Sequence, residues 1–194
     1  MSCRSLLTRI GCALLWAAAA AAIFWKLPVG AQPNPAPIHF AFKPIAFSLD
    51  SCETPQRRAP ETMAGGVAVF DYDRDDDLDI FFANGADILS LQKTSPKYWN
   101  RLFRNNGDET FSDVTEKAGL AGTGYDTGVA IGDYDNDGYE DLFVGGVYRN
   151  TLYHNNGDGA FTDVTEKAGL ALPDKQYGPL WSVGAAWVDV NNDG

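Results

Sequence analysis

From Gly65 onward, short apolar runs alternate with stretches rich in Asp, Asn and Gly. Residues 66–70 and 78–83 flank an acidic loop, and residues 102–105 and 110–114 flank an Asn-Asn-Gly turn. Asn-Gly favours a hairpin because both residues tolerate positive φ, so the pattern predicts four short antiparallel strands. The same order returns at 128–132, 141–145, 151–155 and 160–164. The repetition is close to literal: RLFRNNGDETFSDVTEKAGL at 101–120 recurs as TLYHNNGDGAFTDVTEKAGL at 151–170. Units of this size made of four antiparallel strands predict an all-β chain of β-propeller blades. Two near-complete blades are expected, at 64–126 and 127–181, with the start of a third at 182–194. The strands before the acidic loops are rich in Gly, Ala and Val, as crowding beside a propeller channel requires.

The acidic loops carry the chemistry. DYDRDDDLD at 71–79 holds six aspartates and one arginine. Two like charges about 4 Å apart repel by roughly 4 kcal/mol at an effective dielectric near 20, so a folded loop of this kind needs a counter-charge. DYDNDGYED at 133–141 repeats the Asp spacing at positions 1, 3, 5 and 9, and a third copy starts at Asp189. Oxygen donors at alternate positions of a tight loop, with a backbone carbonyl at position 7, suit a hard cation such as Ca²⁺. The expected ligands are Asp71, Asp73, Asp75, Asp77 and Asp79 in loop one. In loop two they are Asp133, Asp135, Asp137, the Tyr139 carbonyl and Asp141, and in the third loop Asp189, Asn191 and Asp193. An EF-hand is excluded, because its bidentate Glu at position 12 is replaced by Phe82 and Val144 in apparent strands. Gly138 fills the tight-turn position 6 of loop two, whereas loop one has Asp76 there, which predicts weaker binding in loop one.

The first residues are of another kind. Arg4 and Arg9 precede an apolar run over 10–25, and Val29-Gly30-Ala31 offers small residues for cleavage. This layout predicts a signal-peptide helix at 1–31 and a secreted, periplasmic or cell-surface location. An uncleaved segment would be the only route to a membrane. Residues 32–63 read as a linker, in which Phe40, Phe42, Ile45, Phe47 and Leu49 predict one edge strand, a candidate to close the propeller.

Composition adds limits. The formal net charge of -11 is local, because the three loops alone sum to -12. A nucleic-acid partner gains no electrostatic help from such a surface. Of three cysteines, only Cys52 follows the expected leader, so a disulfide framework is not expected. The histidines are His39 and His154, and His154 aligns with Arg104 of the other repeat, which predicts a surface residue and not a catalytic base. No nucleophile elbow, metalloprotease helix or phosphate loop is present.

DYDNDGYEDLFV, VAVFDYDRDDDLDIFFANGA and LFRNNGDETFSDVTEKAGL resemble the FG-GAP or VCBS repeats of integrin-α-like propellers. The nearest likeness is to the bacterial secreted branch similar to cartilage acidic protein, whose members often end in an ASPIC/UnbV domain. The resemblance spans residues 40 to 194. It implies a propeller of about seven blades with Ca²⁺ in the loops joining the first two strands of a blade. On that reading the chain is an N-terminal portion of a longer protein. The expected function is a calcium-binding extracellular scaffold without catalytic activity, recognising a protein or carbohydrate partner. The alternative is a secreted propeller lyase or hydrolase acting on polysaccharide, with its active site in later blades.

Overall fold

The computed structural model describes residues 38–171, 178 and 180–190. The expected leader at 1–31 and the third-loop residues Asn191 and Asp193 lie outside them. Residues from Pro44 onward form one compact unit, and the described residues before it carry no regular structure.

Eight strands build two sheets. The first contains β1 (Val67–Phe70), β2 (Asp79–Phe82), β3 (Arg101–Asn105) and β4 (Phe111–Asp113), in the order β1-β2-β3-β4. The second contains β5 (Asp126–Gly132), β6 (Asp141–Gly146), β7 (Thr151–Asn155) and β8 (Phe161–Asp163), in the order β5-β6-β7-β8. All neighbours are antiparallel. These are the two four-stranded blades expected from the pattern. Phe70 pairs with Asp79 and Gly132 with Asp141, so residues 71–78 and 133–140 close equivalent hairpins.

The blades pack face to face through Phe70, Tyr72, Phe81, Leu102, Leu142, Tyr153 and Phe161. Phe161 of β8 meets Phe70 edge-on at 6.5 Å and lies against Tyr72 at 6.3 Å, so one blade's outer strand covers the other's inner hairpin. The inner strands are as crowded as their small residues suggest. A Cβ on Gly66 would fall 2.6 Å from Val129 Cγ2, and one on Gly128 2.9 Å from the backbone of residues 183 and 184.

Three features depart from the expected pattern. The apolar series from Phe40 to Leu49 forms no strand. Instead Phe47 stacks on Phe82 at 4.4 Å, and the Asp50 amide donates to Asn84 Oδ1, which fastens residues 47–50 to the first blade by side-chain contacts. A helical turn, α1 (Thr115–Ala118), follows β4. Asp113 Oδ1 accepts the Thr115 amide, and Thr115 Oγ1 accepts the Leu102 amide, so the turn is built on local side-chain bonds and ends at Gly119 with φ +74°. The expected strand over 183–187 is not formed. Residues 180–182 are docked, with Ser182 N donating to Gly146 O and Thr127 Oγ1 to Ser182 O. An inner strand draws its ladder from the second strand of its own blade, and the described residues contain none beyond this point.

Candidate metal centres

Both acidic loops are folded by their own carboxylates in the same way. The position 1 aspartate takes the amides of positions 5 and 6: Asp75 N and Asp76 N donate to Asp71, and Asp137 N and Gly138 N donate to Asp133. The position 5 aspartate takes the amide of position 7, from Asp77 to Asp75 and from Tyr139 to Asp137. These bonds curl the chain inward and require positive φ at two places. Arg74 and Asn136 at position 4 adopt +61° and +58°, and Asp76 and Gly138 at position 6 adopt +70° and +90°. The left-handed conformation costs a non-glycine residue roughly 1–2 kcal/mol. Loop one therefore bears that cost at two side-chain-bearing positions with no glycine to relieve either.

The position 9 aspartates start β2 and β6 and are wholly buried. Asp79 accepts from Tyr72 N at 3.1 Å and Asn105 N at 2.8 Å, and Asp141 accepts from Tyr134 N at 3.0 Å and Asn155 N at 2.8 Å. Each carboxylate thus ties its loop to the third strand of its blade. Burial pushes the Asp79 carboxyl up to about 6, against the opposing pull of those two amides, and burial raises Asp141 as well.

Position 3 differs from the rest. Asp73 Oδ1 is buried and accepts no hydrogen bond, and burial together with the neighbouring Asp75 raises this carboxyl. Asp73 faces a cation from the same blade: Arg104 of β3 lies with Nε 3.0 Å from Asp73 Oδ2 and Nη2 3.1 Å from Asp75 Oδ2. His154 of β7 stands in the matching place in loop two. Its Nδ1 is 3.3 Å from Asp141 Oδ1 and 3.5 Å from Asp135 Oδ2. His154 is therefore not simply a surface residue; it is the inner wall of the second loop.

Ligand-capable oxygens of Asp71, Asp73 and Asp79 lie within 4.8 Å of one another, as do those of Asp133, Asp135 and Asp137. A third such group joins Asp135, Asp141 and His154. Asp75 takes part in loop one through its amide bond and Arg104, whereas Asp77 Oδ2 points toward the turn at Gly107. Tyr139 places its ring beneath Arg74, 5.1 Å from the guanidinium carbon, so the two loops touch. Asn155 links them again, with Nδ2 donating to Tyr72 O of loop one at 2.9 Å and to Glu140 O of loop two at 3.2 Å. Asp189 is exposed and belongs to no metal-competent group among the described residues.

A second polar centre was not visible in the local spacing. Lys93, with its side chain 1% exposed, donates to the carbonyls of Asn84, Gly85 and Tyr98 at 2.7–2.9 Å and lies 3.3 Å from Asp126 Oδ2. Asn100 Nδ2 also donates to Asp126 Oδ2, and Asn100 Oδ1 accepts from Asn84 N. This centre fastens the connection between β2 and β3 to the head of β5. Cys52, half-buried and free, packs against the apolar cluster of Ala86, Ile88, Tyr125 and Val147. Among the described residues no helix is long and apolar enough to cross a membrane.

No curated protein matches the chain. A family model described as FG-GAP-like repeat matches residues 85–144 and 133–194. The first match runs from just after β2 through the second acidic loop into β6, and the second begins at Asp133, so the family's repeat is offset from the blade by about two strands. The matches together cover more than half of the sequence and carry the second acidic loop twice, and the chain belongs to the FG-GAP-like repeat family.

Proposed function

We propose that the two acidic loops are Ca²⁺ sites and that the chain is part of a secreted propeller that acts as a non-catalytic extracellular scaffold for a protein or carbohydrate partner. The observation that carries the metal reading is Asp73 Oδ1, a buried carboxylate oxygen with no donor. Leaving such an atom unpaired is costly, and a cation bound among Asp71, Asp73 and Asp79 would supply the missing partner. The remaining loop carboxylates each have spare lone pairs, because the amides that orient them occupy only one site per oxygen. Asp71, Asp73, Asp75, Asp79 and the residue 77 carbonyl would hold the ion in loop one. Asp133, Asp135, Asp137, Asp141 and the Tyr139 carbonyl would hold it in loop two. The ion's chemistry is structural: it offsets the mutual repulsion of the carboxylates and locks each hairpin.

Binding in the range of extracellular modules is expected, with Kd of roughly 10⁻⁴ to 10⁻³ M. Calorimetric titration of the full chain with Ca²⁺ should give two sites, and Asp135→Ala should lose one. An unchanged stoichiometry in Asp135→Ala would remove the assignment of loop two.

The extracellular reading is supported by the basic, apolar and small-residue order of residues 1–31. Free Ca²⁺ outside the cytoplasm reaches the concentrations that weak sites of this kind need. N-terminal sequencing of exported protein should find a start near Gln32. Recovery of Met1 in a membrane fraction would replace secretion by anchoring.

A further inference from the structure

We infer that His154 makes the second loop a mixed nitrogen and oxygen site that selects a first-row transition divalent over Ca²⁺, while the first loop remains an all-oxygen site. This rests on the proposal that the loops bind cations, and it adds which cation each loop prefers.

The two blades are near copies, and one position where they differ is the side chain that the third strand presents to the acidic loop. In the first blade β3 presents Arg104 to Asp73 and Asp75. A guanidinium has donors only and no lone pair, so it can neutralise carboxylates but cannot coordinate a metal. In the second blade β7 presents an imidazole, whose unprotonated nitrogen is a metal ligand. Nδ1 of His154 is buried and has no hydrogen-bond partner. It lies 3.3 and 3.5 Å from oxygens of Asp141 and Asp135. Donors bonded to one ion at about 2.0–2.2 Å are spaced by roughly 3.3–3.6 Å at tetrahedral angles, so both nitrogen–oxygen distances suit a shared coordination sphere, and ligand atoms of the three residues lie within 4.8 Å of one another.

The surroundings of the ring support the same use. Nε2 faces Asp137 Oδ2 at 3.8 Å, and a metal-bound histidine commonly directs its second nitrogen toward a carboxylate that fixes the ring. Tyr134 meets the imidazole edge-on with centroids 6.1 Å apart, which restrains it from the other side. The main chain holds the base of the ring, because Asn155, the next residue, donates its amide to Asp141 Oδ1. Imidazole together with carboxylate suits Zn²⁺, Ni²⁺ and similar ions, whereas Ca²⁺ takes oxygen ligands.

The chain contains only two histidines, which makes a direct test possible. The full chain is titrated with Zn²⁺ while the ring nitrogens are followed by long-range proton–nitrogen NMR. The ring signals of His154 are expected to shift on Zn²⁺ binding and those of the exposed His39 to stay in place. His154→Gln should weaken Zn²⁺ binding about 10-fold or more, the least that disturbance of a metal's ligand environment usually brings, and should weaken Ca²⁺ binding far less. His154→Arg, which copies the first blade, should abolish the Zn²⁺ site, and Arg104→His should create one in loop one. A His154 ring that does not respond to bound Zn²⁺, or Zn²⁺ affinity equal in wild type and His154→Gln, would overturn the inference. Ca²⁺ binding at both loops without any Zn²⁺ preference would sink this inference alone, and failure of both ions to bind would sink the cation reading with it.

Discussion

Lys93→Met is expected to lower folding stability by about 3–5 kcal/mol, the usual consequence of removing one partner from a buried ion pair. The ammonium serves four acceptors at once: the carbonyls of Asn84, Gly85 and Tyr98, and Asp126 Oδ2. Methionine fills the space but donates nothing, so three carbonyls and a buried carboxylate lose their partner together. Asn100 still donates to Asp126, which tempers the loss without cancelling it. Burial already draws the Lys93 ammonium below its ordinary range, with Asp126 opposing, and burial raises Asp126 with Lys93 opposing. The pair holds because each partner is present. Asp126→Asn should therefore cost less than Lys93→Met, since the amide oxygen can still accept from Lys93 or Asn100 and the ammonium keeps its three carbonyls. Urea unfolding of the two single variants and the double variant measures this. Additive losses in the double variant would mean that the two groups act independently and that the ion pair is incidental.

The position of this centre explains why it was hidden. Asn84, Lys93 and Asn100 lie along the long connection between β2 and β3 and Asp126 at the head of β5, up to 42 residues apart, and no local spacing announces them. The strands, by contrast, were legible because each is bounded by an acidic loop or an Asn-Gly turn that dictates a hairpin. Even the register of the acidic hairpins follows from the Asp spacing, since the position 9 carboxylate must reach the position 2 amide. The helical turn α1 is not legible because it depends on the local bonds of Asp113 and Thr115 and not on an amphipathic period. The segment from Phe40 to Leu49 has the alternation of a strand, but alternation specifies a face and not a partner, and no described strand pairs with it in a ladder.

The acidic loops show the same division between local and cross-strand information. The alternating aspartates were visible as ligands from sequence, and the structure gathers most of them. What spacing could not reveal is their division of labour: position 1 curls the loop, position 9 braces it to the third strand, and position 3 faces Arg104 or His154 of the blade's third strand. The pairing of Arg104 with His154 was visible in the aligned repeats. That both side chains point into the loops depends on β3 and β7 lying next to β2 and β6, which is a property of the sheet order.

Asp79→Ala should separate bracing from metal binding, because the two roles respond differently to Ca²⁺. Without metal, the variant leaves Tyr72 N and Asn105 N without their acceptor, at roughly 1–3 kcal/mol for each buried donor. Loss of a buried negative charge near Asp73 and Asp75 offsets part of this, since those carboxylates help to raise Asp79. A net loss of about 1–3 kcal/mol is expected in chelator. With Ca²⁺ at about 100 times its Kd, the wild type gains about 2.7 kcal/mol from each site that binds only the folded state. The variant cannot collect that gain at loop one, so its deficit should widen by about 2–3 kcal/mol on adding Ca²⁺. Asp141→Ala should behave alike at loop two with Ca²⁺ as the added ion, and Asp113→Ala, which removes the acceptor of the Thr115 amide at α1 away from both loops, should show the same deficit with and without metal. Denaturant unfolding in chelator and in saturating Ca²⁺ reads all three variants. An Asp79→Ala deficit that does not change with Ca²⁺ would assign Asp79 to bracing alone and leave the first loop without its buried ligand.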